Sequence, residues 1–424
     1  MGETVAQRIR GKMAVAGLCA LLLAAAGCGG DPGPTVPRTP PAGAVITLDG
    51  AVYGRPIVVG DTVIAATEND SVYAVTGDTV RWRTHLSEPM PGSALPCGNI
   101  DPVGITGSPA YDPAAHRVYV IAESSGAHKT LYGLDSETGA VTLRVPVDPP
   151  FGDPPAYLQR PALTFRDGRV YAAFGGNYGD CGTYTGAVAA VDISTSAVAW
   201  YRASTSGRGG IWAPGPPAEI NGLLFYSVGN GNAEPGSAYD DTDSVIALTP
   251  DLRRTDYFAP ATWAQDNEAD KDLGTMNPAA VNGYLVMAGK SGDGHILDPA
   301  HLGGISSRTP AFTGCRAFGA AAVDHDVAYL PCANGTTAIR VTATGAATVL
   351  WHAGVPANGP PLIAANRIWA TDWHRNTLYA LDPATGNVLA QYGTEELPHF
   401  ATPALVNDSL VLGTMTGIEY IALP

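Results

Sequence analysis

The side chains with the most chemistry to offer here are six cysteines, a run of alternating carboxylates, and a scatter of arginine, tryptophan, asparagine and histidine residues placed just ahead of apolar runs. Cys28 closes Leu23-Ala-Ala-Ala-Gly-Cys28, behind the basic residues Arg8, Arg10 and Lys12 and a 14-residue apolar run over 13–26. That order of basic, apolar and small residues resembles a bacterial export signal with a lipobox, whose cysteine thiol is expected to be acylated and to become the new N terminus; the alternative is an ordinary secretory signal with a bystander cysteine. Ala25 stands where Leu is usual. The apolar run is too short to span a bilayer comfortably as a helix. Cys19 leaves with the signal, so Cys97, Cys181, Cys315 and Cys332 remain, an even number in an exported chain. Two disulfides are expected, with three connectivities open. The favoured pairing is Cys97–Cys181, joining two long loops, and Cys315–Cys332, 17 residues apart within one unit. No CxxC or paired histidine accompanies these cysteines, which argues against a zinc site.

The acidic run places Asp266, Glu268, Asp270 and Asp272 at alternating positions, and Asp240, Asp241 and Asp243 precede it. Alternating carboxylates can converge their oxygens on Ca²⁺. The run lacks the central glycine and terminal glutamate of an EF-hand loop, and a solvated loop is the plainer reading. A second set lies just before, or in loops near, the first strand of successive repeat units: Arg55, Ser108, Arg160, Trp212, Asn277, Asn358, His374 and His399. If the units form a ring, these residues meet at its centre on one face. There Arg160, Trp212 and Asn277 suit a polar or anionic ligand. The alternative is that they simply cap the channel with water and backbone contacts. No Gly-x-Ser-x-Gly or His-Glu-x-x-His appears, and Gly289-Lys-Ser-Gly-Asp-Gly294 lacks phosphate-loop spacing.

What must position these residues is a repeat. Leu378-Tyr-Ala-Leu-Asp-Pro-Ala-Thr-Gly-Asn-Val388 is one copy: a short apolar strand, a turn, and the start of the next strand. Aligned on its third strand, the chain shows eight copies, with Ala74, Gly133, Ala190, Ala247, Ile296, Ala338, Ala380 and Ala422 equivalent. The steps are 59, 57, 57, 49, 42, 42 and 42 residues. A period near 42 is that of a four-stranded propeller blade, and the longer early steps imply insertions. The last copy stops after three strands, and the segment 44–50 can supply the fourth. The expectation is all-β: an eight-bladed propeller of four-stranded antiparallel blades, closed by the N-terminal strand, with no free sheet edge. The domains are then a signal (1–27), a proline- and glycine-rich tether (28–43) and the propeller (44–424). In the turn, Asp382 should accept backbone amides and Gly386 should adopt positive φ, while Trp82, Trp200 and Trp351 pack between blades. Abundant Gly (51) and Pro (35) with 15% charged residues agree with short strands and tight turns. Without the signal the chain keeps 21 basic against 38 acidic residues, which argues against nucleic-acid binding.

The Ala-Leu-Asp-x-x-Thr-Gly turn, in some copies followed by tryptophan, resembles the quinoprotein-type repeat. This repeat is found in pyrroloquinoline quinone (PQQ) dehydrogenases and in BamB-type lipoprotein scaffolds of outer-membrane barrel assembly. Pro96-Cys-Gly-Asn-Ile-Asp101, Gly179-Asp-Cys-Gly182, Gly210-Ile-Trp-Ala-Pro214 and Asp272-Leu-Gly274 are similar to stretches of exported PQQ-repeat-like proteins, a likeness that names no reaction. The dehydrogenases imply PQQ and Ca²⁺ as cofactors, often beside an adjacent Cys-Cys pair, which this chain lacks. The expectation is therefore a monomeric, lipid-anchored interaction or ligand-binding platform with an envelope protein partner and no confident cofactor. It would sit on the outer face of the cytoplasmic membrane, or in the periplasm or at the outer membrane of a two-membrane envelope. The alternative is a PQQ- and Ca²⁺-dependent oxidoreductase of the same compartment.

Overall fold

In the computed structural model, residues 43–424 are described; the signal, Cys28 and nearly all of the tether lie outside the described residues. The eight repeats form eight sheets. Blade one is typical, with strands Ile57–Val59, Thr62–Ala66, Ser71–Thr76 and Thr79–His85 in antiparallel order. Every strand that carries an alignment position is the third of its blade, from Ser71–Thr76 to Gly417–Ala422. Val45–Thr47 pairs antiparallel with 417–419 of blade eight, Ile46 opposite Ile418, and so closes the ring.

Strand residues alternate between two faces, and here both faces are buried because each blade lies between two others. In Thr62–Ala66, Val63 and Ala65 pack with Val411 and Ile418 of blade eight, while Ile64 and Ala66 pack with Val118 and Val120 of blade two. Eight apolar clusters sit one at each blade interface, and a ninth, of Met90, Leu95, Ile100, Val103, Ala127 and Leu158, lies under the loops between early blades.

The turn between third and fourth strands does two jobs. Asp382 Oδ1 accepts the amides of Ala384 and Thr385 at 2.8 and 2.9 Å, and Asp135 and Asp192 repeat the arrangement. Gly386 (φ +71°) lies against the ring of Trp351, whose Nε1 donates to the Pro383 carbonyl at 2.9 Å; Gly139 and Trp82 form the same clasp between blades one and two. Trp200 differs. Blades one and six carry a bulge that sets Trp82 and Trp351 opposite the aligned alanines, Ala74 and Ala338. Blade three has none, so Trp200 lies opposite Ala189 and turns to the other face, 6.3 Å from Phe151 and 5.7 Å from Phe174. A one-residue slip moves a strand side chain across the sheet.

Three blades depart from four antiparallel strands. Blade three gains Tyr157–Leu158 as an extra pairing. Blade five has three strands, Ala279–Val281, Tyr284–Ala288 and Gly294–Leu297, while Gly304–Ser306 adds to blade four in parallel with Phe258–Pro260. Both expected disulfides are present: Cys97–Cys181, spanning 84 residues, and Cys315–Cys332, spanning 17.

Candidate functional site

Each blade begins with the strand nearest the axis, and the inner edge of that strand has no ladder partner. Proline suits such an edge because it has no N–H to leave unpaired. Pro56, Pro109, Pro161, Pro217, Pro278, Pro361 and Pro403 recur there. Residues at the start of most blades form the channel wall. Arg55, Ser108, Ala162, Pro216, Ala320, Pro360 and Thr402 come two residues before their strands, and with Tyr53, Thr106, Arg160 and Phe400 they line a cavity of about 220 Å³.

Two arginines point into this space. The Arg55 amide is held by Ser108 Oγ at 2.8 Å; among the described residues its guanidinium has no ion pair, and its surroundings lower its pKa by desolvation. Arg160 lies 4.9 Å over the Phe400 ring and 5.5 Å from that of Tyr53, and donates through Nη2 to the His399 carbonyl at 2.9 Å. Its Nε is buried without a partner. Desolvation pulls its pKa down, and the field of Glu68 opposes that. Aromatic faces hold the cation by their quadrupoles and keep water away from it.

Outside Phe400 the channel widens into a cleft of about 570 Å³. Trp373 packs 5.1 Å from Phe400, 5.5 Å from His374 and 6.1 Å from His399, and Trp212 extends the wall 6.4 Å beyond Phe400. Desolvation first, then Arg160 and His374, lower the pKa of His399, which favours its neutral ring. Asp372 is committed, accepting the His374 amide and Arg375 Nη1. Asn358 lines the cleft with Oδ1 unpartnered.

The structure thus gathers Arg55, Ser108 and Arg160 in the channel, Asn358, His374 and His399 in the cleft, and Trp212 beside Phe400. Asn277 stands apart. It is buried, its Oδ1 takes the amide and hydroxyl of Ser227, and its Nδ2 donates to the Gly215 carbonyl, so it ties blade five to blade four. The acidic run does not converge either. The helix Trp263–Glu268 turns Asp266 to Thr262 Oγ1, Glu268 ends that helix, and Asp270 and Asp272 share Lys290 at 2.7 and 2.8 Å. Among the described residues no three His, Cys, Asp or Glu side chains are grouped to hold a metal ion.

Sequence reading missed the aromatic half of the mouth: Tyr53, Trp373 and Phe400. The pairs Trp373-His374 and His399-Phe400 were a signal, since each joins a residue singled out above to a large ring. It also missed the acids behind the wall. Glu68 Oε2 accepts the Gly104 amide at 2.7 Å and Thr106 Oγ1 at 3.1 Å, and burial pushes its pKa up to about 7. Asp70 Oδ2 accepts Ser87 Oγ at 2.6 Å, and burial pushes its pKa up to about 8. Glu123 and Lys129 form a fully buried pair at 3.0 Å.

A calcium-held quinone needs a shell of converging oxygens. The charged groups facing the channel cavity are instead Arg55 and Arg160, Glu68 reaches it only through Thr106, and neither disulfide lines the cavities. These residues do not supply that oxygen shell for Ca²⁺. They fit a flat ligand carrying negative charge, which the arginines attract and the rings stack against.

Residues 47–231 match a family model described as outer membrane protein assembly factor BamB. The polyvinylalcohol dehydrogenase of Sphingopyxis sp. (strain 113P3) is 25% identical over 304 residues, covering 60% of this chain and 44% of that protein. The chain therefore spans less than half the length of that relative. Among solved structures, BamB from Moraxella catarrhalis superposes with a TM-score of 0.63 at 16% identity, over 91% of this chain and 99% of the other. The quinohemoprotein alcohol dehydrogenase from Comamonas testosteroni gives 0.64 at 15% identity, over 91% and 77%. At such identities the structural likeness speaks for the fold.

Proposed function

We propose that this chain, a PQQ-repeat β-propeller of eight blades, is a non-catalytic binding platform of the cell envelope whose channel mouth takes a flat, anionic group. The observation that carries this reading is Arg160: a cation held between Tyr53 and Phe400, short of carboxylate partners, with a second unpaired arginine, Arg55, below it. Such a pair is notable in a chain of net charge −15. The likeness to BamB supports a platform role, and a rigid ring carrying many loops suits one. A free ligand and the acidic tip of a partner segment present this same chemistry to the mouth. Cys28 would carry the lipid and the 28–43 tether would hold the ring outside the membrane. Metabolic labelling with a fatty acid tests this, since Cys28→Ser should lose the label.

Benzene-1,3,5-tricarboxylate is a suitable probe for the mouth. It should raise the melting midpoint of the mature protein, because a ligand that binds only the folded state stabilises it. No shift at millimolar probe would sink the proposal.

The second reading, a quinone-dependent oxidoreductase, is favoured by the match to a polyvinylalcohol dehydrogenase. Dye-linked oxidation of polyvinyl alcohol by protein loaded with PQQ and Ca²⁺ would establish it in place of the first.

A further inference from the structure

Blade five leaves a gap that the other blades do not. Its fourth strand is absent, and Gly304–Ser306 crosses to blade four instead. Between Gly294–Leu297, the end of Phe258–Pro260's strand and the helix Trp263–Glu268 lies a cleft of about 230 Å³, remote from the channel lining. Asp243 and His295 are buried in its wall, Asp266 and Asp293 flank them, and Lys271 and Arg308 stand exposed.

Asp243 is fully buried. Its Oδ1 accepts the Leu273 amide at 3.0 Å, and its Oδ2 has no partner. A buried carboxyl oxygen left unpaired costs stability unless something arrives to pair with it. Burial first and then Asp272 hold its pKa well above the ordinary carboxylate range. Desolvation lowers the pKa of His295, which packs 4.8 Å from Phe258, so burial disfavours charge on both side chains of the floor. Among the described residues neither Lys271 nor Arg308 is in an ion pair, and neither Asp243 nor Asp293 is. The cleft therefore offers acids inside and cations outside, which do not satisfy each other. Its volume is below the roughly 300–1,000 Å³ of drug-sized sites.

We propose that this cleft binds a small zwitterion of the α-amino-acid class, its ammonium donating to Asp243 Oδ2 and its carboxylate meeting Lys271 and Arg308. Asp266 and Asp293 add to the field that draws the ammonium inward. A bare metal ion is a poorer match, because no three ligating side chains are grouped for one among the described residues. Binding an ammonium would favour the ionised form of Asp243.

The test is calorimetric titration of the mature protein with alanine, serine and valine, beside propylamine and propionate as single-charge controls, at neutral pH in two buffers of different ionisation heat. The expected result is saturable binding by amino acids only. Asp243→Asn should weaken binding at least tenfold while leaving the melting midpoint of the free protein unchanged or higher, and Arg308→Ala should weaken it several-fold. Absence of binding by every amino acid up to 10 mM would overturn the proposal. So would equal affinity for propylamine, or unchanged affinity in a folded Asp243→Asn.

Discussion

Asp70→Asn should change how stability depends on pH more than it changes stability itself. Asp70 is fully buried among Glu68, Glu123 and Glu88, with Ser87 donating to one oxygen and no partner on the other. Burial pushes its pKa up to about 8, against about 3.9 in an unfolded chain. Between these values the folded chain holds a proton that the unfolded chain has released. The stability linked to this group is therefore complete below about pH 4 and is lost as the pH climbs toward 8, at about 1.4 kcal/mol per unit. From pH 5.5 to 7.5 that is about 3 kcal/mol. Asparagine keeps the shape and the Ser87 bond but cannot titrate. Urea unfolding at both pH values, read as midpoint and slope, should show the natural chain losing about 3 kcal/mol more than the variant. Glu68, whose pKa is pushed up to about 7, remains in both proteins and leaves the variant a smaller slope of the same sign. Identical pH dependence in the two proteins would refute the reasoning, since it would mean that Asp70 is ionised inside the fold.

Gly386→Ala should cost about 3 kcal/mol, from positive φ and from the Trp351 ring its methyl would meet; chemical unfolding measures it. Replacing Cys315 and Cys332 together by alanine opens a 17-residue loop and should cost roughly 3 kcal/mol, visible as a lower melting midpoint. Deleting residues 44–50 removes the strand paired to 417–419 and bares that edge, so the shortened ring should melt lower and associate on size-exclusion chromatography.

Most of the ring was legible because its signals are local. An apolar strand, an aspartate and a glycine at fixed offsets specify the turn at Asp382 and Gly386 whatever surrounds it, and an even count of cysteines behind a segment that reads as an export signal points to two bridges. The misses depend on contacts far away in sequence. Trp200 matches Trp82 and Trp351 in type, yet the absence of one bulge sends it to the other face. Gly304–Ser306 could not be assigned to blade four, since parallel pairing to Phe258–Pro260 leaves no mark on a single strand. Asn277 occupies a channel-facing position by spacing, but Ser227 and Gly215 claim it. Asp270 and Asp272 have the alternating spacing of calcium ligands within a run whose plainer reading was a loop, and nothing local shows that Lys290, from the next loop, takes both. Arg160 was legible as a cation at the mouth, whereas the rings that hold it come from blades one and eight, far off in the chain.

The central claim, an anion-binding mouth that needs no metal, is tested most directly by calorimetric titration of benzene-1,3,5-tricarboxylate into the mature protein and its Arg160→Met variant, each with and without Ca²⁺. A hydrogen bond to a charged group is worth about 1.5–3 kcal/mol, so the variant should bind roughly 10- to 150-fold more weakly, and Ca²⁺ should change neither affinity. Equal binding by the two proteins, or binding that appears only with Ca²⁺, would contradict the account.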